Sequence, residues 1–351
     1  MTTRVFVEEK YTDCPKIRER AHTVRRGRNV VGNPKISIII PAYQIAEFAE
    51  ETLASVFEQT YTDFEVIVVN DGSPDTAALE AAIEPFADRI IYAVQDNSGA
   101  SQARNTAICF SNGEWLAFLD GDDVWLPGHL ESQVSFAERE GYDMVYCDAL
   151  LFGEPLFDGD NFMRTSPSSG EVSTVSLIRA ECNVITSGTL LRRSWAQRVN
   201  MFDIRLQRMQ DFDLWFRIAQ AGARIGYQTE ISVRYRVRAE GLSGSNVDRC
   251  SRNIRALEVI RDKYNLDADE LRAWEYKMLE YEAEHDLEKG KFLLIHGKHA
   301  EAYSHLRTAN KYYRKPKLAI IAALIKVSPR LALTIFKRFR SAEYSFISTH
   351  R

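Results

Sequence analysis

The 351-residue chain lacks the glycine-rich segments with which many proteins bind nucleotides. It contains no G-x-G-x-x-G fingerprint and no G-x-x-x-x-G-K-[ST] phosphate loop. In those motifs, backbone amides at a helix N-terminus hold the phosphates. We therefore do not expect a dehydrogenase-type Rossmann domain. A nucleotide bound to this chain would need side chains and a metal ion to hold its phosphates.

Secretion signals, excess charge and paired cysteines are also lacking. The first 34 residues are polar and contain no apolar signal segment, so we expect an N-terminal polar arm over residues 1–34, either loose or a strap on the core. The net charge of −4 gives no overall attraction to nucleic acid. The cysteines are far apart, odd in number and without C-x-x-C spacing, which predicts free thiols in a cytoplasmic protein. They are Cys14, Cys109, Cys147, Cys182 and Cys250.

Four short apolar runs predict a mostly parallel β-sheet. The runs lie at 36–40, 65–69, 89–94 and 115–119, and segments with helical spacing separate them. Strands that alternate with helices at this interval indicate βαβ units, so we predict a Rossmann-like α/β fold with helices flanking the sheet. In such sheets, ligands bind beyond the carboxyl ends of the strands.

The last of these runs ends in an acidic turn, Asp-Gly-Asp-Asp at 120–123. Three carboxylates within four residues repel one another, and such hard oxygen ligands suit Mg²⁺ or Mn²⁺. A solvated acidic turn is the alternative, and an EF-hand is disfavoured because Trp125 and Leu126 follow at once. Asp123 is a metal ligand, a support for a ligand or the N-cap of the next helix.

Four motifs in this order resemble those of the family 2 glycosyltransferases with the A-type fold. They are Ile-Ile-Ile-Pro-Ala-Tyr at 38–43, Val-Val-Asn-Asp-Gly-Ser at 68–73, Asn-Ser-Gly-Ala-Ser-Gln-Ala-Arg-Asn at 97–105 and Phe-Leu-Asp-Gly-Asp-Asp at 118–123. The resemblance covers roughly residues 35–240. It implies an inverting transferase that takes a sugar from a nucleotide-sugar, commonly a UDP-sugar, with Mn²⁺ or Mg²⁺.

The resemblance also implies which residues bind the nucleotide and the metal. The nucleotide residues would be Pro41 and Tyr43 beside the base, Asp71 at the uracil imide, Arg104 and Asp120. Asp120 and Asp122 would form the D-x-D pair, with Asp122 closest to the metal. An ionised Asp accepts hydrogen bonds only, which suits the N3–H of uracil. The alternative for Asp71 is a turn former without a ligand.

Residues 209–218 resemble the family's E-D-x-D-L-W segment, in which the Asp after the Glu is the candidate general base. The matching residue is Asp211, and Gln210 occupies the usual Glu position. In an inverting displacement, a carboxylate takes the proton of the attacking hydroxyl. The alternative is that Asp211 caps a helix. In that case Asp213 or Asp203 would be the next candidate.

Acceptor and diphosphate contacts are expected in the second half of this region, where the family has a segment similar to residues 183–193. Relatives often carry a His where this chain has Arg238, and an Arg pairs with phosphate oxygens but does not ligate a cation. The alternative for Arg236 and Arg238 is that they lie on a charged edge strand. The candidates are Thr186, Ser187, Gly188, Trp215, Arg236 and Arg238. The Q-x-x-R-W signature of processive synthases is absent, which favours the transfer of one sugar.

The extent of the resemblance predicts a catalytic domain over 35–245, with a nucleotide-binding half at 35–123 and an acceptor half at 124–245. From about residue 246 the apolar spacing is helical, which predicts a helical C-terminal region over 246–351.

Residues 316–340 form an interrupted apolar run with basic ends. The interruptions argue against a transmembrane helix. The pattern fits either a peripheral contact with anionic lipid or a surface that packs on protein, including a homodimer partner.

The sequence therefore predicts a metal-dependent inverting glycosyltransferase that moves one sugar from a UDP-sugar to a saccharide or lipid-linked acceptor. We expect a role in polysaccharide or cell-envelope synthesis, in the cytoplasm or at the inner face of the cell membrane, without a nucleic-acid partner. Two alternatives remain. Gln210 and Arg238 keep open a catalytically silent sugar-nucleotide scaffold, and the metal carboxylates keep open a nucleotidyltransferase, for which a Gly-rich loop would be expected instead of Pro-Ala-Tyr.

Overall fold

The computed structural model describes residues 14–153, 159–206, 208–238 and 246–335. The chain divides into two compact units, Met1–Arg238 and Ala239–Arg351. The first contains all of the described β-strands and every residue proposed for the site.

The first unit is built on a nine-stranded sheet. Its strands are β1 (Ala21–Arg26), β2 (Ile36–Ala42), β3 (Phe64–Asp71), β4 (Ile90–Gln95), β5 (Trp115–Phe118), β6 (Val124–Trp125), β7 (Met144–Phe152), β8 (Thr189–Arg192) and β9 (Ile225–Arg236). Their order in the sheet is β1-β4-β3-β2-β5-β8-β7-β9-β6. The helices of this unit are α1 (Cys14–Glu19), α2 (Ala46–Phe57), α3 (Thr76–Ile83), α4 (Ala100–Phe110), α5 (His129–Glu140), α6 (Phe162–Thr165), α7 (Thr174–Ile178), α8 (Arg193–Arg198) and α9 (Gln210–Gln220).

The four predicted apolar strands form a parallel block at the centre of this sheet. Strands β4, β3, β2 and β5 are neighbours and pair parallel. Both faces of the block are covered, since Ile38 and Ile40 pack into one hydrophobic cluster and Ile39 into another. Burial on both faces explains why these strands are apolar almost throughout. The predicted α/β fold class is confirmed.

The rest of the sheet is mixed. Strands β7 and β9 pair parallel, whereas β1 with β4, β5 with β8, β7 with β8 and β6 with β9 pair antiparallel. The parallel character predicted from the sequence therefore holds for the central block, and both flanks add antiparallel strands.

Part of the N-terminal segment is built into the sheet and fixed to α4. Strand β1 pairs with β4 at the sheet edge, and Arg18 of α1 donates from Nε to the carbonyl oxygen of Cys109 at 2.7 Å. A disulfide joins Cys14 to Cys109, with their Cα atoms 5.3 Å apart. The prediction that all cysteines are free thiols is wrong for this pair, because packing of α1 on α4 brings together two residues that are 95 positions apart.

Thiol titration checks this correction. In denaturant without reductant, we expect three reactive thiols from Cys147, Cys182 and Cys250, and five after reduction. Five thiols before reduction, in protein purified under air, would contradict the disulfide.

The second unit is helical in its described part. It contains α10 (Asn246–Lys263), α11 (Ala268–Ile295), α12 (His299–Tyr313) and α13 (Pro316–Val327). Helices α11 and α12 form a close hairpin, in which a Cβ at Gly290 would lie 2.7 Å from a side-chain atom of Leu306. Only glycine allows this approach. No described helix combines the length and apolar character needed to cross a bilayer.

Candidate active site

The carboxyl ends of the parallel strands bring the predicted nucleotide residues to one edge of the sheet. In register, Ala42 of β2 is opposite Asn70 of β3, and Asp71 is opposite Gln95 of β4. Strand β5 ends at Phe118, so the acidic turn starts beside them. Tyr43, directly after β2, is 45% exposed, which leaves its ring accessible to a ligand at this edge.

Asp71 organises the loop that leads into α4. It is 3% exposed, and its Oδ1 accepts hydrogen bonds from Gln95 Nε2 at 2.7 Å and from the Ser98 amide at 2.9 Å. Its Oδ2 accepts from the Gly99 amide at 2.8 Å, where the positive φ of 88° suits glycine. A carboxylate has about four acceptor positions, so three protein bonds leave capacity on Oδ2 for one more donor.

Arg104 and Asp120 form a mostly buried ion pair between α4 and the acidic turn. Arg104 is 5% exposed, and its Nη2 lies 2.5 Å from Asp120 Oδ1. Its Nε and Nη1 have no hydrogen-bond partner among the described residues. Because unsatisfied buried donors are costly, these nitrogens point to an acceptor on a ligand.

Within the acidic turn, Asp122 and Asp123 have different environments. Burial, followed by the neighbouring charge of Asp120, raises the pKa of Asp122 above its usual range, and Arg238 Nη1 opposes this from 3.6 Å. Asp123 is 1% exposed and accepts hydrogen bonds from Ser187 Oγ at 2.5 Å and the Arg236 amide at 2.7 Å. Asp123 therefore supports the turn. It is not the cap of α5, which begins after Gly128.

The hydroxyls of Ser187 and Thr52 hold the acidic turn in place. Ser187 Oγ also accepts from the Asp120 amide at 3.1 Å, so one buried hydroxyl contacts both ends of the turn. Thr52 Oγ1, on α2, donates to the carbonyl oxygens of Gly121 and Asp123 at 3.0 and 2.9 Å. Sequence reasoning missed Thr52, which looks like an ordinary residue on the buried face of a helix.

The residues of the turn fit a metal ion that binds together with a phosphate ligand. Among the described residues, no three carboxylate, imidazole or thiol groups converge to hold a cation. Asp120 and Asp122 nevertheless lie close enough that, after burial, the charge of Asp120 contributes to the raised pKa of Asp122. Mg²⁺ and Mn²⁺ are commonly bound by one or two carboxylates plus substrate phosphates. This donor set fits that mode and does not fit a protein-only cage.

Asp211 lies in the first turn of α9 and does not cap it. The N-cap is Met209, in the left-handed conformation with φ of 60°. Asp211 Oδ1 accepts from the Phe212 amide at 2.8 Å, and Thr186 Oγ1 lies 3.4 Å from its Oδ2, a long hydrogen bond. The capping alternative is therefore wrong, and Oδ2 is only loosely held.

The two alternative bases are more tightly paired. Asp213 is 1% exposed and bonds Arg217 Nε at 2.9 Å, and Asp203 bonds Arg205 Nη2 at 2.7 Å. A carboxylate held by a guanidinium has fewer acceptor positions left for another hydroxyl.

Tyr235 is affected electrostatically by four carboxylates of this region. Burial is the largest cause that raises the pKa of Tyr235, followed by negative charges of the acidic turn and of α9. Those charges belong to Asp123, Asp120, Asp122 and Asp211. Asp211 therefore lies within electrostatic range of the same tyrosine as the acidic turn.

The remaining acceptor and diphosphate candidates divide into two groups. Thr186 and Arg238 contact Asp211 and Asp122. The other four have supporting or packing contacts instead. Ser187 holds the acidic turn, and Gly188 lies against Cys147. Trp215 is 1% exposed and lies between aromatic rings, while Arg236 lies over Phe152 and donates to the Asp122 carbonyl at 2.7 Å.

These features bring carboxylates and the unsatisfied guanidinium nitrogens of Arg104 to one edge of the sheet, and comparisons with known proteins give the family. The sequence profile of Glycosyl transferase family 2 matches residues 37–199. The chain is 30% identical over 215 residues to the putative glycosyltransferase EpsE of Bacillus subtilis (strain 168), a match that covers 59% of this chain and 74% of that protein. The chain belongs to glycosyl transferase family 2.

Two other relatives extend this comparison. A glycosyltransferase of Rickettsia prowazekii (strain Madrid E) is 31% identical over 210 residues, covering 59% of this chain and 65% of the relative. The Escherichia coli UDP-Glc:alpha-D-GlcNAc-diphosphoundecaprenol beta-1,3-glucosyltransferase WfaP is 27% identical over 227 residues, covering 64% and 86%. The chain spans only 30 to 65% of the length of five Rickettsia relatives.

Solved structures agree on the fold. S. aureus TarS 1-349 in complex with UDP-GlcNAc superposes with a TM-score of 0.55 at 18% identity, covering 80% of this chain and 91% of that one. The mannosyltransferase PcManGT from Pyrobaculum calidifontis, in complex with GDP-Man and Mn²⁺, gives 0.58 at 18% identity, covering 96% and 91%. The predicted A-type glycosyltransferase fold is confirmed.

Proposed function

We propose that this chain is an inverting glycosyltransferase that moves one sugar from a UDP-sugar to a saccharide or lipid-linked acceptor, assisted by Mn²⁺ or Mg²⁺. The observation that carries the proposal is one sheet edge that combines Asp71, the unsatisfied nitrogens of Arg104 and the Asp120–Asp122 carboxylates, with Asp211 contacting Thr186, the residue before the Ser187 that holds the acidic turn. We assign donor binding to residues 35–123 and acceptor binding to 124–245, with 246–351 as a helical annex.

In this proposal, one group of residues binds the uracil of the donor and another binds its diphosphate. Asp71 Oδ2 accepts the N3–H of uracil, and Pro41 and Tyr43 border the base. Arg104 donates from Nε and Nη1 toward the phosphates, while Asp120 and Asp122 would hold the cation. When bound, that cation neutralises negative charge on the departing diphosphate. The choice of UDP is supported by the donor in the WfaP name and by the TarS complex with UDP-GlcNAc.

Transfer in this proposal is a single displacement at the anomeric carbon. Asp211 Oδ2 takes the proton of the acceptor hydroxyl as its oxygen attacks, and the bond from the anomeric carbon to the diphosphate oxygen breaks on the opposite face. The anomeric configuration inverts and UDP leaves. No enzyme nucleophile takes part, so the proton transfer in this step needs only the loosely held carboxylate of Asp211.

A ligand panel tests this proposal. The protein is heated with UDP-sugars or GDP-sugars, each with Mn²⁺ or EDTA, and released nucleotide is measured after long incubation. We expect stabilisation by a UDP-sugar only with Mn²⁺, together with slow release of UDP. Binding without any release would favour the silent scaffold, for which Gln210 and Arg238 are the specific observations. When pyrophosphate is added, formation of UTP and a sugar 1-phosphate from the UDP-sugar would instead indicate a nucleotidyltransferase.

We also propose a peripheral contact with anionic lipid through α13 and the residues that follow it. Ile320, Val327 and Leu331 are 59%, 84% and 48% exposed. The sequence from Arg314 to Arg340 contains eight basic residues and no acidic one, although residues 336–340 lie outside the described part. Exposed apolar side chains beside basic ones fit an interfacial helix. The lipid-linked acceptor in the name of WfaP is consistent with a site at the inner membrane face.

Reversing one charge on this helix should weaken lipid binding. Each basic residue near an anionic surface contributes about 1 kcal/mol, so reversing the charge with Lys326→Glu should cost about 2 kcal/mol and reduce binding about 30-fold. The measurement is co-sedimentation with phosphatidylserine-containing vesicles at low salt. Lys298→Glu, which alters an exposed lysine before α12, is the matched control and should bind like the parent. Equal binding by Lys326→Glu and the parent, or no binding by the parent, would assign this face to protein packing or a dimer.

A further inference from the structure

We propose that Asn105 is a positioning residue that fixes the start of α9, and with it Asp211, relative to the donor-binding helix α4. Its side chain is 4% exposed and makes two complementary hydrogen bonds with one backbone position. Asn105 Nδ2 donates to the Phe202 carbonyl at 2.8 Å, and the Phe202 amide donates to Asn105 Oδ1 at 2.9 Å. The inference rests on the proposed function, because it assigns Asn105 a role through Asp211.

The ring of Phe202 extends this contact to the elements on either side. It packs edge-on against Phe118 at 5.6 Å and against Trp215 at 6.4 Å, and the guanidinium of Arg104 lies 5.5 Å above it. We call Arg104, Asn105, Phe118, Phe202 and Trp215 the Phe202 cluster. Phe118 precedes the acidic turn by two residues, and Trp215 follows Asp211 by one helical turn. The cluster therefore joins α4, the end of β5 that leads into the acidic turn, and α9.

Asp211 depends on this support because its own contacts are weak. Among the described residues, its Oδ2 is contacted by Thr186 Oγ1 at 3.4 Å, and its Oδ1 accepts from the adjacent Phe212 amide. The segment before α9 is held at Phe202 by Asn105, and Arg217 Nη1 donates to the Val199 carbonyl at 2.5 Å. The position of Asp211 is thus set by the backbone and the Phe202 cluster.

Most donor contacts do not involve Asn105 or Phe202, and Arg104, which packs over the Phe202 ring, is also held by its ion pair with Asp120. Asp71 is held by Gln95 and the loop amides, and the acidic turn is held by Thr52 and Ser187. Loosening Asn105 should therefore shift the base while leaving the donor site in place. Misplacing a catalytic group by about 1 Å costs on the order of 100-fold in rate. The loss should fall on kcat and not on the affinity for UDP.

The test is Asn105→Asp in the full chain. This substitution keeps the size of the side chain and the oxygen that accepts from the Phe202 amide. It replaces the Nδ2 donor with an oxygen that repels the Phe202 carbonyl. Gln59→Glu is the matched control. Gln59 is a 6% exposed amide that likewise holds backbone, donating to the Leu126 carbonyl at 2.8 Å and accepting from the Leu130 amide at 3.1 Å.

Turnover and binding are measured together, with the UDP-sugar that the parent turns over. We expect Asn105→Asp to lower kcat about 100-fold while UDP affinity in Mn²⁺ stays within about twofold. We expect Gln59→Glu to lower the melting temperature comparably but keep kcat within about threefold of the parent. If Asn105→Asp does not fold, Asn105→Ala, which removes both amide bonds and leaves the Phe202 ring beside Arg104, should show the same separation of kcat from affinity.

Hydrogen exchange gives a readout that does not need turnover. Amides at the start of α9, residues 212–216, should exchange faster in Asn105→Asp than in the parent, and should be unchanged in Gln59→Glu. A parent that is inactive with every UDP-sugar would then count against the proposed function alone. The inference is overturned by unchanged exchange in Asn105→Asp, by kcat within about threefold of the parent, or by UDP affinity that falls in parallel with kcat.

Discussion

Replacing Asp211 with asparagine is expected to lower sugar transfer by about 10²- to 10⁴-fold, the usual loss when general-base assistance is removed. Asparagine keeps the size of the side chain and can still accept from the Phe212 amide, but its amide cannot take a proton. UDP binding with Mn²⁺ should persist, because Asp211 makes no contact with Asp71 or Arg104 in the proposed mechanism. The measurement is transfer rate beside UDP affinity for the same preparation.

Asp203→Asn is the matched control for this substitution. Asp203 is also a carboxylate of the first unit, and its described partner is Arg205. We expect its transfer rate to stay within a few-fold of the parent. Wild-type transfer by Asp211→Asn, or loss of transfer by Asp203→Asn instead, would move the general base away from α9.

Removal of the Asp122 carboxylate is expected to abolish the metal-dependent stabilisation by UDP. A ligand at 100 times its dissociation constant raises the free energy of unfolding by about 2.7 kcal/mol, and that gain disappears when the ligand no longer binds. Asp122→Ala should therefore melt at the same temperature with and without UDP and Mn²⁺. The parent should lose the same gain in EDTA.

The control for this experiment leaves the acidic turn intact. Asp203→Ala should retain the full shift with UDP and Mn²⁺. Undiminished UDP binding by Asp122→Ala, or an EDTA-insensitive shift in the parent, would contradict the role of Asp122 as the principal metal ligand.

The local features of the fold were predictable from the sequence. The apolar runs at 36–40, 65–69, 89–94 and 115–119 correspond to β2, β3, β4 and β5. These strands were recognisable because a strand buried on both faces is apolar almost throughout. The intervening helices α2, α3 and α4 were predicted from apolar residues at helical spacing, which is also a local signal.

Features that depend on distant parts of the chain were not predictable. Strand β8 pairs antiparallel with β5 and β7, a choice set by tertiary packing rather than by its four residues. The disulfide of Cys14 and Cys109 depends on the packing of α1 against α4. Sequence spacing of 95 residues gives no indication of that proximity.

The site was predictable in position and less so in the use of each side chain. Strand ends placed Asp71 and the acidic turn at one edge. The sequence alone did not distinguish Asp123, which supports the turn, from its neighbour Asp122. It also did not show that Trp215, one helical turn after Asp211, lies in the core. The clamp between Asn105 and Phe202 joins residues 97 positions apart and leaves no local signal.

The central claim is metal-dependent, inverting transfer from a UDP-sugar, and proton NMR of one reaction tests it most directly. An α-linked UDP-sugar is incubated with the protein and Mn²⁺, and the first sugar product is observed before it mutarotates. We predict that UDP accumulates together with the β-anomer, or a β-linkage when an acceptor is present, and that EDTA stops the reaction. A first product with the α configuration, or UDP release that continues in EDTA, would contradict this account.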